Sequence, residues 1–262
     1  MRSILLVFAC LMLGIQGNVL AQCTSGCTNT ITLSNSSQTI SYTLSSGETL
    51  CIVKDVSVLG NATITSGTID VNNQSNVTIC FGPEVVVASG VNISNPNNPF
   101  TINNYGILQN TLTIGSALAT LNNFGTVSGP VTMNNGTINN QSGGTFSASG
   151  FTMNGGAFVN NSGSSFNLPT SFTVNGGSFS GAGTFTVNGD FVTNSGTTSI
   201  GGPATVTGNL TTNTAVPFGS TLNVGGSFVT NSGAITIAGA ATITGGLTTN
   251  TAFTASSNLS VG

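Results

Sequence analysis

Charged side chains that could do chemistry are few in this chain of 262 residues: Arg2 and Lys54 are the cations, and Glu48, Asp55, Asp70, Glu84 and Asp190 the acids. Histidine is absent. Cleaving a glycoside asks for two carboxylates flanking the bond, yet from residue 101 to the last residue Asp190 stands alone as a charge. It also falls where successive repeats carry Asn209, Ser227 and Gly246, which reads as a solvent-facing corner. A lyase would need a base and charge-neutralising cations, for which Lys54 is a poor supply. Without histidine there is no His-based triad, and the scattered glycine pairs match no phosphate loop. Glu48, Lys54, Asp55 and Glu84 could converge near the N-terminus, but surface charges lending solubility are the simpler reading. The residues therefore predict no catalytic or cofactor-binding group, and a protein that is not an enzyme.

Sulfur offers the next chemistry. Cys23, Cys27, Cys51 and Cys80 follow a leader-like N-terminus, and an even number in an exported chain suggests disulfides. Three pairings exist, which sequence cannot separate; Cys23 with Cys27 and Cys51 with Cys80 is the expected one. A zinc site would need four scattered thiolates without paired C-x-x-C spacing, so no metal is expected. Repeated Asp-rich turns for calcium are missing as well.

Composition narrows the partners. A single cation beyond Arg2 cannot make the footprint that phosphates require, which excludes nucleic acid, and attraction to anionic lipid fails for the same reason. Charged residues are 3% of the chain and hydrophobic ones 38%, so the sequence is able to bury a core rather than stay disordered. Residues 1–21 read as a signal peptide: Arg2, an apolar run from Ile4 to Leu13, and Val19-Leu20-Ala21 before the cut. The run is too short to span a bilayer, and no membrane insertion is expected. The expected location is extracellular or on the cell surface.

What must position any functional row is a repeat. Phe191-Val192-Thr193-Asn194-Ser195-Gly196 returns at 228–233, and Leu210-Thr211-Thr212-Asn213-Thr214 returns at 247–251, both 37 residues on. Half of that unit is one coil, because Val187, Val206, Val224, Ile243 and Val261 follow at steps of 19, 18, 19 and 18. Apolar pairs two apart, such as Phe185 with Val187 and Leu222 with Val224, mean strands. Along the stack the first members run Phe, Ala, Leu, Ala, Leu, alternating large and small. Phe191, Leu210, Phe228 and Leu247 supply a second strand. The same periodicity loosens upstream, where Thr132-Met133-Asn134 recurs at 152–154 and Ile102-Asn103-Asn104-Tyr105-Gly106 recurs as Leu121-Asn122-Asn123-Phe124-Gly125. The fold class that follows is all-β: a parallel β-helix, or β-solenoid, of roughly 18–20 residues per coil. Residues 22–99 hold the four cysteines that follow the leader and read as a disulfide-stapled cap with the first coils; residues 100–262 are the repeats, clearest in 184–262.

Two rows are candidates for function. Asn194, Asn213, Asn231 and Asn250 occupy one corner position in four coils and predict an asparagine ladder, each amide bonding to the coils above and below. Thr186, Thr205, Asn223 and Thr242 predict an outward row that could meet glycan or ice, although no unbroken threonine row is expected beside it. The phenylalanines fall at core periodicity and leave few exposed aromatic platforms for sugars. Val261-Gly262 falls a few residues into a new coil, so the expectation is either that the chain is incomplete or that its open end pairs with something, end-to-end self-association among the choices.

The leader, then Gln22-Cys23-Thr24-Ser25-Gly26-Cys27, Leu50-Cys51-Ile52 and coils of the Asn-Asn-x-Gly and Thr-Val-Asn-Gly kind resemble the β-helical region of large secreted surface proteins of Bacteroidetes. More loosely, they are similar to the passenger domains of autotransporters and filamentous haemagglutinin-like adhesins. The resemblance implies a stalk or adhesive surface whose partners are glycans or other surface proteins. The expected function is a structural or adhesive rod, with a glycan- or ice-binding module as the alternative.

Overall fold

The computed structural model describes residues 23, 26–71, 74–93 and 99–262. The leader at 1–21 and residues 94–98 at the end of the cap lie outside the described residues. One coil shows the construction: Ser178–Gly181 lies in a first sheet, Thr184–Val187 in a second and Phe191–Thr193 in a third, after which Thr197–Ile200 returns to the first. Its pairings with the next coil are parallel and in register. The first and second sheets have 12 strands each and the third has 8. At ~4.8 Å per coil this is a rod on the order of 60 Å long. Among the described residues there is no helix.

Strands of three or four residues suffice because each inward side chain lands on its equivalent in the next coil. Val187, Val206, Val224, Ile243 and Val261 form one such column. Phe185, Ala204, Leu222, Ala241 and Leu259 form the neighbouring one, so the alternation of large and small holds there. Upstream it gives way to stacked rings. Phe146, Phe166 and Phe185 stack in nearly parallel planes with centroids 5.6 and 5.1 Å apart. Phe151, Phe172 and Phe191 make a second column, and Phe158 with Phe179 a third. Offset stacking lets identical rings repeat at coil spacing without an intervening small residue.

The third sheet begins at Leu112–Ile114. Earlier coils use strands of 9 residues instead, Ala62–Asp70 and Val85–Ile93, whose register shifts between Ile64 and Ser66. Such a bulge bends the strand. Left-handed glycines turn the corner from the third sheet back to the first, as at Gly156, Gly177 and Gly196 with φ of 79°, 79° and 84°. The ladder asparagines are not themselves in that conformation; where the corner needs it, Gly196 and Gly233, two residues after Asn194 and Asn231, take it, because glycine pays no Cβ penalty there.

The disulfide pairing also differs from expectation. Cys23 is bonded to Cys80 and Cys27 to Cys51, with Cα separations of 5.7 and 5.8 Å. Cys51 and Cys80 are register partners on adjacent strands of the first sheet, so the N-terminal segment can bond to each of them in turn. These links close loops of 57 and 24 residues in sequence separation, which restrict the unfolded chain more than a four-residue loop would.

Candidate binding face

The third sheet presents two parallel outward rows. In the first, Thr113, Thr132, Thr152 and Thr173 follow one another in register, continued by Val192, Thr211, Val229 and Thr248. All eight are β-branched, with few rotamers open to them, so hydroxyl and methyl positions repeat from coil to coil. Their neighbours in sequence, among them Val131, Phe151, Phe172 and Leu210, are buried, which fixes the face each strand turns outward.

Two residues further along each strand runs the asparagine ladder. The predicted members Asn194, Asn213, Asn231 and Asn250 are linked Nδ2 to Oδ1 at 3.3, 2.9 and 3.4 Å. The ladder extends beyond them: Asn194 donates to Asn175 at 3.0 Å, Asn175 to Asn154 at 3.2 Å and Asn154 to Asn134 at 2.9 Å. Linkage uses one N–H and one oxygen lone pair of an interior amide, leaving one of each for a ligand. A two-row lattice results, with ~4.8 Å between coils and roughly 6.6 Å between rows.

The row through Thr186, Thr205, Asn223 and Thr242 lies in register on the second sheet, as expected. It is the less regular face. Beside it no threonine row runs without a break, since Val192 and Val229 interrupt the third sheet there; unbroken runs lie upstream, Thr113 to Thr173 on the third sheet and Thr49, Thr78, Thr101, Thr120 and Thr137 on the first. The third-sheet row went unnoticed although its signal was present, in the Thr of each Thr-Met-Asn repeat and in Thr211 and Thr248 of the 37-residue repeat.

A second ladder was missed altogether. Asn104, Asn123, Asn140 and Asn160 are buried at the corner between the first and second sheets, each donating to the next at 2.7, 2.8 and 2.9 Å. Each Nδ2 also reaches a backbone carbonyl, of Thr126, Thr145, Ser165 and Thr184 respectively. Alternation of strand faces explains it: in Asn103-Asn104, Asn122-Asn123 and Asn139-Asn140 the first residue faces outward and the second inward. The outward members form a short ladder of their own, at 2.9 and 3.0 Å.

The charged groups do not converge on one site. Lys54 pairs with Glu84 and donates to the carbonyl of Gly60, while Asp55 accepts from the backbone and hydroxyl of Ser57, which hold its carboxyl below the usual range. Glu48 is buried and accepts from Tyr42, Asn29 and the backbone of Ser45. Burial alone would push its carboxyl up, but those three hydrogen bonds together outweigh it and hold the group below its ordinary value. Asp190 is a corner rung, its Oδ1 accepting from the backbone of Asn209, whose own Oδ1 accepts from Ser227. Among the described residues no three His, Cys, Asp or Glu side chains cluster as a metal site, and no helix is long and apolar enough to cross a membrane.

Comparison with protein-family models, with curated proteins and with solved structures finds no match to this chain. The fold is nonetheless plain: a structural parallel β-solenoid with asparagine and threonine ladders and a disulfide-stapled N-terminus.

Proposed function

We propose that this protein is an exported rod that lays its third sheet on a repeating, uncharged, hydroxylated surface, with insoluble polysaccharide as the ligand. The observation that carries the reading is the seven-rung ladder from Asn134 to Asn250 running beside the Thr/Val row. A flat lattice of fixed hydroxyls, methyls and half-used amides suits a flat periodic partner better than a small molecule, which prefers a concave pocket. From residue 101 onward Asp190 is the one charged side chain, so recognition there has to come from hydrogen bonds and apolar contact. Export agrees with the leader sequence and with two disulfides, which persist in oxidising compartments. The resemblance to Bacteroidetes surface proteins points to the same location.

Co-sedimentation of the purified chain with insoluble cellulose, chitin and starch tests the reading. Saturable retention on at least one of them, insensitive to salt, is expected. Retention that vanishes with salt, or none on any solid, would overturn it. Ice is the second reading, favoured by the unbroken run Thr113, Thr132, Thr152, Thr173; inhibition of ice recrystallisation without polysaccharide retention would select it.

A further inference from the structure

The outer side of the first sheet ends in aromatic rings where the strands Phe100–Asn104 and Thr120–Asn123 reach their corner. Tyr105 and Phe124 lie face to face with centroids 4.7 Å apart and planes 8° from parallel. Phe124 is 37% exposed, and no other phenylalanine among the described residues is classed as exposed. At the other end of the stack, Tyr105 packs against the cluster of Cys23, Cys51 and Cys80. The ledge is thus anchored on the cross-linked part of the rod. It stops at Phe124, because the next coil carries Gln141 after Asn140.

Beside the ledge run the outward amides of Asn103, Asn122 and Asn139 and the hydroxyls of Thr101, Thr120 and Thr137. Alternation therefore places Thr, Asn and an aromatic ring at i, i+2 and i+4 on one side of two adjacent strands, spanning roughly 13 Å. The exposed part of the Phe124 ring can take the apolar C–H groups of a sugar ring, while an amide with a spare donor and acceptor takes its hydroxyls. Between residues 101 and 189 there is no charged side chain, so nothing here selects an acidic sugar. A peptide strand is a poor occupant, since the backbone of both strands is already paired on each side.

We infer that this ledge is a discrete subsite for a soluble, uncharged oligosaccharide, with Phe124 as the stacking platform and Asn103, Asn122 and Asn139 as hydrogen-bonding partners. It is separate from the third sheet and does not rest on the reading of that face.

Calorimetric titration of the full chain with uncharged hexasaccharides of β-1,4-linked glucose, mannose and N-acetylglucosamine tests it, with a galacturonate oligomer as the charged comparator. Saturable binding of at least one uncharged oligomer is expected. Phe124→Ala should weaken it about threefold to tenfold, as loss of one stacking partner does, and Phe124→Trp should preserve it. Asn122→Ala should weaken it too, which keeps the test open if Phe124→Ala fails to fold. Thr152→Lys on the third sheet should leave this binding unchanged while removing retention on solids. Absence of binding, equal binding by Phe124→Ala and Asn122→Ala, or preference for the galacturonate oligomer would overturn the inference.

Discussion

Asparagine has two environments in this protein, and the same amide is worth different amounts in each. Asn123 is fully buried, accepts from Asn104 and donates to both Asn140 and the carbonyl of Thr145. Replacing it with alanine strands these groups away from water and should cost about 3 kcal/mol in denaturant unfolding. Asn213 has equivalent links to Asn194 and Asn231, but on the outer face. Water can replace its partners there, so Asn213→Ala should cost below about 1 kcal/mol. Equal losses at the two sites would contradict the assignment of inner and outer ladders. Glu48 gives the pH dependence at this scale. Its folded value lies below the ordinary 4.5, so its stabilisation is present above that value and is lost as pH falls through the depressed folded one. Tyr42 is pushed up from 10.0 by the same hydrogen bond, followed by burial and the Glu48 charge, so its contribution is lost only as pH rises through its raised value. Protection against hydrogen exchange over residues 29–48, corrected for the intrinsic rate, should therefore fall as pH drops through the depressed Glu48 value. Glu48→Gln should flatten that dependence while raising exchange at neutral pH; an unchanged acid response in the variant would contradict this account.

At the scale of elements, the strands are held by columns rather than by length. Phe166 sits between Phe146 and Phe185 in one column and is fully buried; Phe166→Ala should cost about 3–5 kcal/mol. Corners differ in a checkable way. At Gly181 an added Cβ would lie 2.0 Å from the carbonyl oxygen of Asn160, whereas at Gly143 it meets nothing within 4 Å. Gly143→Ala should cost about 1–2 kcal/mol for its left-handed backbone, and Gly181→Ala clearly more, as read by denaturant titration. Much of this layer was legible in the sequence. Val187 and its successors gave the coil, and Asn194 and its successors the outer ladder. The first-sheet strand of each of these coils is not among the expected ones, although Val216 with Phe218 and Ile235 with Ile237 carry the same two-residue spacing. The inner ladder hid because polar residues in a core break the rule by which a core is recognised, and only the register shows that Asn104 stacks on Asn123 rather than facing water. The disulfide pairing differs from expectation because Cys51 and Cys80, although side by side on neighbouring coils, each bond to the N-terminal segment, and spacing along the chain does not show that Cys23 and Cys27 lie against them.

At the scale of the whole molecule, stacked coils make a stiff object whose sides are lattices, since each coil repeats the outward residues of the last at fixed spacing. Three sides differ in chemistry. The first carries the disulfides and the aromatic ledge, the second a mixed Ser/Thr/Asn row, and the third the longest asparagine ladder with its Thr/Val row. Rigidity and regularity together suit a rod that adheres along its side rather than through a pocket. The most direct test of that claim is a pair of single-residue variants compared in the same co-sedimentation with insoluble polysaccharide. Thr152→Lys places a charged, bulky side chain at an exposed point in the third-sheet lattice, and Thr236→Lys does the same at an exposed position of the first sheet. The account predicts that Thr152→Lys loses retention by about tenfold or more while Thr236→Lys keeps it and both fold alike. Retention lost equally by both variants, or kept by Thr152→Lys, would contradict the assignment of the third sheet as the binding face.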